Sequence, residues 1–152
     1  MPRTHKLEQV FRLLDLPDEL WSRIGKMAID AEAPTDIQRQ PQPKIPPILR
    51  TCTTLRHELL IYWCANKVRC WSKGVWYAPE LRKTGDWLKA LPLPARRSIR
   101  SLHISIAKSR QDRWLHQLEQ VWGGRRIRYF LEKVEPHPLG TMEDVWFKIK
   151  FL

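Results

Sequence analysis

Leu16, Leu20, Ile24, Met27 and Ala28 recur at three- and four-residue intervals, so the chain after Asp15 carries the apolar stripe of a helix. Its start is signalled by Asp15-Leu16-Pro17-Asp18-Glu19. Asp15 or Leu16 suits the cap region, Pro17 suits the first turn, and two acids there complement the helix dipole. A helix with one apolar face packs against something. From Ala31 to Pro47 the periodicity stops, and five prolines remove backbone donors and disfavour helix at each preceding residue, which predicts a solvated loop. A second and longer helix is predicted from about Pro47 to Ala65, with Ile48, Leu49, Cys52, Leu55, Leu59, Tyr62 and Trp63 on one broad stripe.

The period then changes. Asn66 to Trp71 alternates as a short strand does, and Gly74 marks a break after it. A helical stretch around Pro79 to Leu91 carries Leu81, Trp87, Leu88 and Leu91, and a strand is predicted from Arg100 to Ala107. Ser109 to Trp122 returns to helical spacing through Trp114, Leu115, Leu118, Val121 and Trp122, with Gly123-Gly124 as its C-terminal stop. Ile127 to Val134 and Val145 to Phe151 read as two more strands. The last sets Val145, Phe147, Ile149 and Phe151 on one face against Trp146, Lys148 and Lys150 on the other. The expected fold class is α+β: N-terminal helices followed by a small, mainly antiparallel sheet with one or two packed helices. A single domain over residues 1–152 is expected, with a helical part at 11–66, interrupted by the Pro/Gln-rich loop at 31–47, and an α/β part at 67–152.

Composition is consistent with this and removes several classes. The 152 residues are 43% hydrophobic and 28% charged, which fits one compact core and excludes collagen-like, disulfide-scaffold and fully disordered chains. Cys52, Cys64 and Cys70 contain no C-x-x-C, so the spacing suits neither a zinc knuckle nor a redox pair, and the odd count fits reduced thiols. Near the N-terminus Glu8, Gln9 and Arg12 interrupt the apolar run a secretory signal needs, and no run reaches the ~20 apolar residues of a membrane span. A soluble protein of the cytoplasm or nucleus, with no membrane partner, is the expectation. The formal net charge is +11, and residues 41–100 hold 12 basic against 3 acidic side chains. A basic midsection of this kind raises the prospect of a polyanionic partner.

His57 and Glu58 are adjacent, so on a helix they point about 100° apart and form no acid/base pair. His5, His103, His116 and His137 are scattered, with neither H-x-x-x-H nor H-E-x-x-H spacing. Cys52 and Cys64 fall in an apolar helix and read as packed thiols. Gly123-Gly124-Arg125-Arg126 follows a helix, whereas phosphates are cradled at helix N-termini, and no nucleotide-binding glycine motif occurs. No catalytic residue, metal site or cofactor is therefore expected, and the chain does not read as an enzyme. Of the eight tryptophans, Trp63, Trp87, Trp114 and Trp122 have core-compatible spacing. Trp71, Trp76 and Tyr77 stand among Lys67, Arg69 and Lys73, and Arg96, Arg97 and Arg100 make a second basic cluster. These residues combine stacking surfaces with charge as a single-stranded nucleic-acid site does, and basic stems lying over core aromatics produce the same pattern.

Two segments resemble the fungal F-box-like proteins. Phe11-Arg12-Leu13-Leu14-Asp15-Leu16-Pro17-Asp18-Glu19-Leu20-Trp21-Ser22-Arg23-Ile24 is similar to the family's opening LLDLPxELxxxI helix. Pro47 to Asn66, with Thr51-Cys52 followed by Leu55-Arg56-His57-Glu58-Leu59-Leu60-Ile61-Tyr62, is similar to LLxTCRxIRxEaLplfYxxN. Trp87-Leu88 followed by Ser98-Ile99-Arg100-Ser101-Leu102-His103-Ile104 matches a helix and an IRxLxI strand more weakly. The chain departs from the pattern where the loop at 34–47 replaces a short second helix and where Thr53 replaces a basic residue. The resemblance implies a non-enzymatic interaction module with an F-box-like helical part, docking proteins to a cullin-RING ubiquitin ligase. It also implies that the ligase linker subunit grips Leu16, Pro17, Leu20 and Ile24. The alternative function is a basic nucleic-acid-binding protein using Lys67, Arg69, Trp71, Lys73, Trp76, Arg96, Arg97 and Arg100.

Overall fold

The computed structural model describes residues 15–37, 39–73, 78–135 and 143–152, with backbone alone at 71–73 and 101. Gly74, Trp76, Tyr77, His5, His137 and the start of the first motif, Phe11 to Leu14, lie outside the described residues. Helix α1 spans Asp18–Ala31, with Pro17 at the cap position ahead of the helix, one place earlier than predicted. A proline is tolerated there because its fixed φ costs the helix no hydrogen bond. The Trp21 indole N–H donates to Asp18 Oδ1 at 3.0 Å within the first turn.

The segment predicted as a solvated loop is partly structured. Thr35–Asp36 forms strand β1, Ile37 is fully buried, and Pro43 and Pro46 are buried beside the core. The extended backbone that proline favours is compatible with sheet-edge pairing. Thr35 N–H donates to Lys67 O at 2.8 Å and Ile37 N–H to Arg69 O at 3.0 Å, which continues a ladder past the two strand residues.

The long second helix divides in two. A 3₁₀ turn at Pro47–Arg50 is separated from helix α2, Thr53–Asn66, by Cys52 in an extended conformation (φ −154°, ψ 166°). Cys52 Sγ accepts from Leu55 N–H at 3.5 Å, and Arg56 Nε donates to Leu49 O at 2.9 Å, so side chains bridge the break. Strand β2 runs Val68–Lys73, helix α3 Ala78–Ala90, the short helix α4 Leu93–Ser98, and strand β3 Ser101–Ala107. Helix α5 covers Gln111–Leu118 and passes into a wide π turn at Glu119–Gly123. Strands β4 (Tyr129–Val134) and β5 (Asp144–Phe151) complete the fold.

The stop after α5 also differs from expectation. Gly123 and Gly124 continue the turn, and the left-handed residue is Arg126 (φ 58°). At Gly124 a Cβ would stand 3.0 Å from the backbone oxygen of Gln120, whereas at Gly123 it would meet only the movable end of the Glu119 side chain. Arg126 N–H donates to Gly123 O and Ile127 N–H to Trp122 O, which ties off the helix carbonyls.

The fold is α+β. Among the described residues five strands lie in the order β1-β2-β3-β5-β4, with β1–β2 and β2–β3 parallel and β3–β5 and β4–β5 antiparallel. The parallel pair β2–β3 is joined by the crossover through α3 and α4, as parallel neighbours require. Side-chain alternation puts Val68, Cys70, Leu102, Ile104, Ile106, Val145, Phe147, Ile149 and Phe151 on one face, all buried in a core shared with the helices. Trp63, Trp87, Trp114 and Trp122 are all in that core, as their spacing predicts.

Candidate interaction surface

Helix α1 buries the side opposite to the one its strongest apolar periodicity marks. Trp21, Ser22, Gly25 and Ile29 face inward, whereas Leu20, Ile24 and Met27 are 47%, 43% and 63% exposed. Leu16 is half-buried, and Pro17 and Ala28 are exposed. The expectation that this stripe forms the packing face is therefore corrected for Leu20, Ile24, Met27 and Ala28, while Leu16 does pack against the core. Steric fit to α2 decides the outcome, because Gly25 lets α1 approach until a Cβ there would lie 2.4 Å from Leu59 Cδ1. Trp21 and Ile29 then fill the space on either side, one turn before and one turn after.

A polar rim fixes α1 on α2. Ser22 Oγ donates to Glu58, Lys26 Nζ lies 3.3 Å from Glu58 Oε1 and 5.8 Å from the Tyr62 ring centre, and Tyr62 Oη donates to Asp30 Oδ2 at 2.8 Å. That bond to Asp30, reinforced by desolvation and by the carboxylate charge, raises the Tyr62 pKa. Lys67 closes the far end, where its ammonium donates to Asp30 O and Glu32 O, both at 2.8 Å. A shallow depression of about 540 Å³ beside the stripe is lined by Glu19, Arg23, Lys26, Met27 and Asp30, so charges of both signs border the apolar row.

The structure brings together some of the other singled-out residues and separates the rest. Lys67 holds the C-terminal end of α1, and Arg69 is exposed on β2 opposite Ser101. Trp71 and Lys73 belong to β2 with only their backbone described. Arg96 and Arg97 converge with Arg126, from the Gly123-Gly124-Arg125-Arg126 segment, and with Arg128, which no sequence motif singles out, and exposed Arg100 is not among the residues lining that cup. A possible signal was the pair of basic residues two apart at the entry to a predicted strand. His57 lines a small apolar groove of about 170 Å³ with Leu60, Ile61, Pro92 and Pro94, while Glu58 faces α1, so the two diverge as helix geometry requires. Among the described residues no group of three His, Cys, Asp or Glu side chains is placed to hold a metal ion, and no helix is long and apolar enough to cross a membrane.

The three cysteines differ in access. Cys64 is buried, which pushes its thiol up to about 12, and Cys70 is fully buried in the sheet. Cys52 is half-buried at the start of α2. Ellman's reagent at pH 8 is expected to titrate one thiol in the native protein and three in denaturant. Prompt reaction of all three in the native state would contradict this burial. No protein-family model, curated protein or solved structure matches the chain.

Proposed function

We propose that the chain is a non-enzymatic interaction module of the F-box-like type, and that the linker subunit of a cullin-RING ubiquitin ligase takes the outer face of α1. The exposure of Leu20, Ile24 and Met27 on one helix face carries this reading. Each is a large apolar side chain in water, and the three lie in a row at helical spacing. An amphipathic helix presenting such a row fits a hydrophobic groove on a partner, with a few anchors supplying most of the binding energy. The mixed-charge rim suits the polar border such interfaces have. The similarity of Leu16-Pro17-Asp18-Glu19-Leu20 to the family's opening helix selects the linker subunit as the partner.

Co-purification with that subunit tests the proposal. Wild type is expected to bind, and Leu20→Ala with Ile24→Ala is expected to lower affinity at least tenfold while leaving the unfolding midpoint within a few degrees, because neither side chain belongs to the core. No association of the wild type, or association indifferent to the double variant, would remove the ligase reading.

A further inference from the structure

Among the described residues strand β4 stands at one edge of the sheet, paired only with β5. Leu152 N–H donates to Arg128 O at 3.1 Å, which marks Arg128 and Leu152 as a hydrogen-bonded pair. By antiparallel alternation Phe130, Glu132 and Val134 also turn their backbone groups to β5. Tyr129, Leu131 and Lys133 then direct theirs outward, where nothing among the described residues bonds them. The opposite edge differs. β1 is two residues long and follows Pro34, a short, proline-flanked form that discourages further pairing. The stretch from Ile127 to Glu135 contains neither proline nor glycine.

The side chains of β4 select the occupant of this edge. Tyr129 and Leu131 pack against the core, so Arg128, Phe130 and Glu132 share the other face of the sheet. Phe130 is 54% exposed, and it is the one aromatic among the large apolar side chains left in water in the described part of the chain. Glu132 pairs with Lys150 of β5 at 2.7 Å and stays half-exposed, and Arg128 is exposed. When the strand runs antiparallel to a second copy of itself with Phe130 opposite Phe130, Arg128 of each copy stands opposite Glu132 of the other. An aromatic pair then lies on the twofold axis, with an opposite-charge pair on either side. In the same register Tyr129 and Leu131 exchange backbone hydrogen bonds with Leu131 and Tyr129 of the second copy, as their outward groups require. Other registers lose the match. One centred on Leu131 sets Phe130 against Glu132, and one centred on Glu132 brings two carboxylates together.

We propose that β4 pairs antiparallel with β4 of a second copy of this chain, joining the two sheets into one continuous sheet about a twofold axis at Phe130. The interface is isologous, so a single strand supplies both the arginine and the glutamate that it needs. It shares no residue with α1, and the two surfaces are separable.

Sedimentation velocity at physiological salt tests the pairing. The paired length is short against the interfaces of about 1,200–2,000 Å² that hold stable complexes, so a weak dimer is expected to appear as protein rises from about 10 µM to about 1 mM. Phe130→Glu is expected to weaken it by about tenfold or more, because two carboxylates then meet on the axis. The unfolding midpoint is expected to hold, since Phe130 lies outside the core and a glutamate there faces Lys150 of its own chain. Leu20→Ala with Ile24→Ala is expected to leave dimerisation unchanged. Register is read by cross-linking with oxidised glutathione, using Phe130→Cys and Glu132→Cys, each with Cys52→Ser to remove the accessible native thiol. Phe130→Cys is expected to form the disulfide-linked dimer about tenfold faster or more, because a non-hydrogen-bonded pair holds its Cα atoms about 4.5 Å apart, within disulfide reach. A monomer over the whole concentration range, a dimer indifferent to Phe130→Glu, or equal cross-linking rates would overturn the proposal. Dimerisation lost in the α1 variant and kept in Phe130→Glu would overturn it too and assign the contact to α1. A monomeric result leaves the linker-subunit reading intact, because that co-purification does not involve β4.

Discussion

Trp122→Ala is expected to cost about 3–5 kcal/mol of folding stability, the range for removing a large buried aromatic side chain. Trp122 is fully buried, and its ring meets Tyr129 edge-on at 5.6 Å between centroids and Phe151 at 6.0 Å. Its indole N–H donates to Leu81 O at 3.0 Å, so one side chain links the π turn after α5 to α3, β4 and β5. Gly85 of α3 also lies close against the ring, where a Cβ would stand 3.1 Å from Trp122 Cδ1. The loss is read as a lower denaturant midpoint at unchanged slope, and for a chain of this size as a fall in melting temperature of roughly 6–20 °C. Trp122→Phe retains much of the packing but loses the donor and part of the ring, so about 1–2 kcal/mol is expected. If the alanine variant stays within about 1 kcal/mol of wild type, the corner relaxes in a way this packing does not allow.

Leu59→Ala is expected to cost about 2–5 kcal/mol, and its coupling to Gly25 identifies the contact responsible. Leu59 is fully buried between α1 and α2, with its methyl groups against Gly25. Gly25→Val alone is expected to destabilise by about 1–3 kcal/mol, because the added carbons overlap Leu59 and the core gives little room. In the Leu59→Ala background the same valine enters the vacated space. The double variant is therefore expected to be more stable than the sum of the single effects by about 0.5–3 kcal/mol, measured by a four-member cycle of urea unfolding curves. Strict additivity would mean that α1 does not lie against α2 at this point. The cycle also bears on the interaction surface, since the contact at Gly25 determines which side of α1 is left in water.

Much of the element order is legible in the amino-acid sequence, since helix and strand periods depend on near neighbours. Strand β5 alternates as written, and α3 and α5 begin within a few residues of their predicted positions. Errors occur where a small or lone residue carries the structure. Ile37 is a single large apolar residue among prolines and polar groups, too sparse to make a pattern, yet it is fully buried. Cys52 interrupts the second helix through an extended backbone and a weak sulfur cap, features that hydropathy does not register. Gly123 and Gly124 look like a helix stop, and instead Gly123 ends a wide π turn with Gly124 at its cap.

The sequence by itself determined that α1 is amphipathic, that α2 lies in the core, and that positive charge gathers in the middle of the chain. Only the tertiary structure decided which side of α1 is buried and which charges meet. Two stripes compete on α1: Leu20, Ile24 and Met27 form the more hydrophobic one, and Trp21, Gly25 and Ile29 the one that packs. Hydrophobicity ranks the first higher, but burial follows shape, and the groove left by Gly25 is what Leu59 fits. The arginines obey the same distinction. Arg96 and Arg97 lie about thirty residues from Arg126 and Arg128 in the chain. They form one cup because α4 rests against the sheet beside the entry to β4, a juxtaposition set by packing over the whole core rather than by any local pattern.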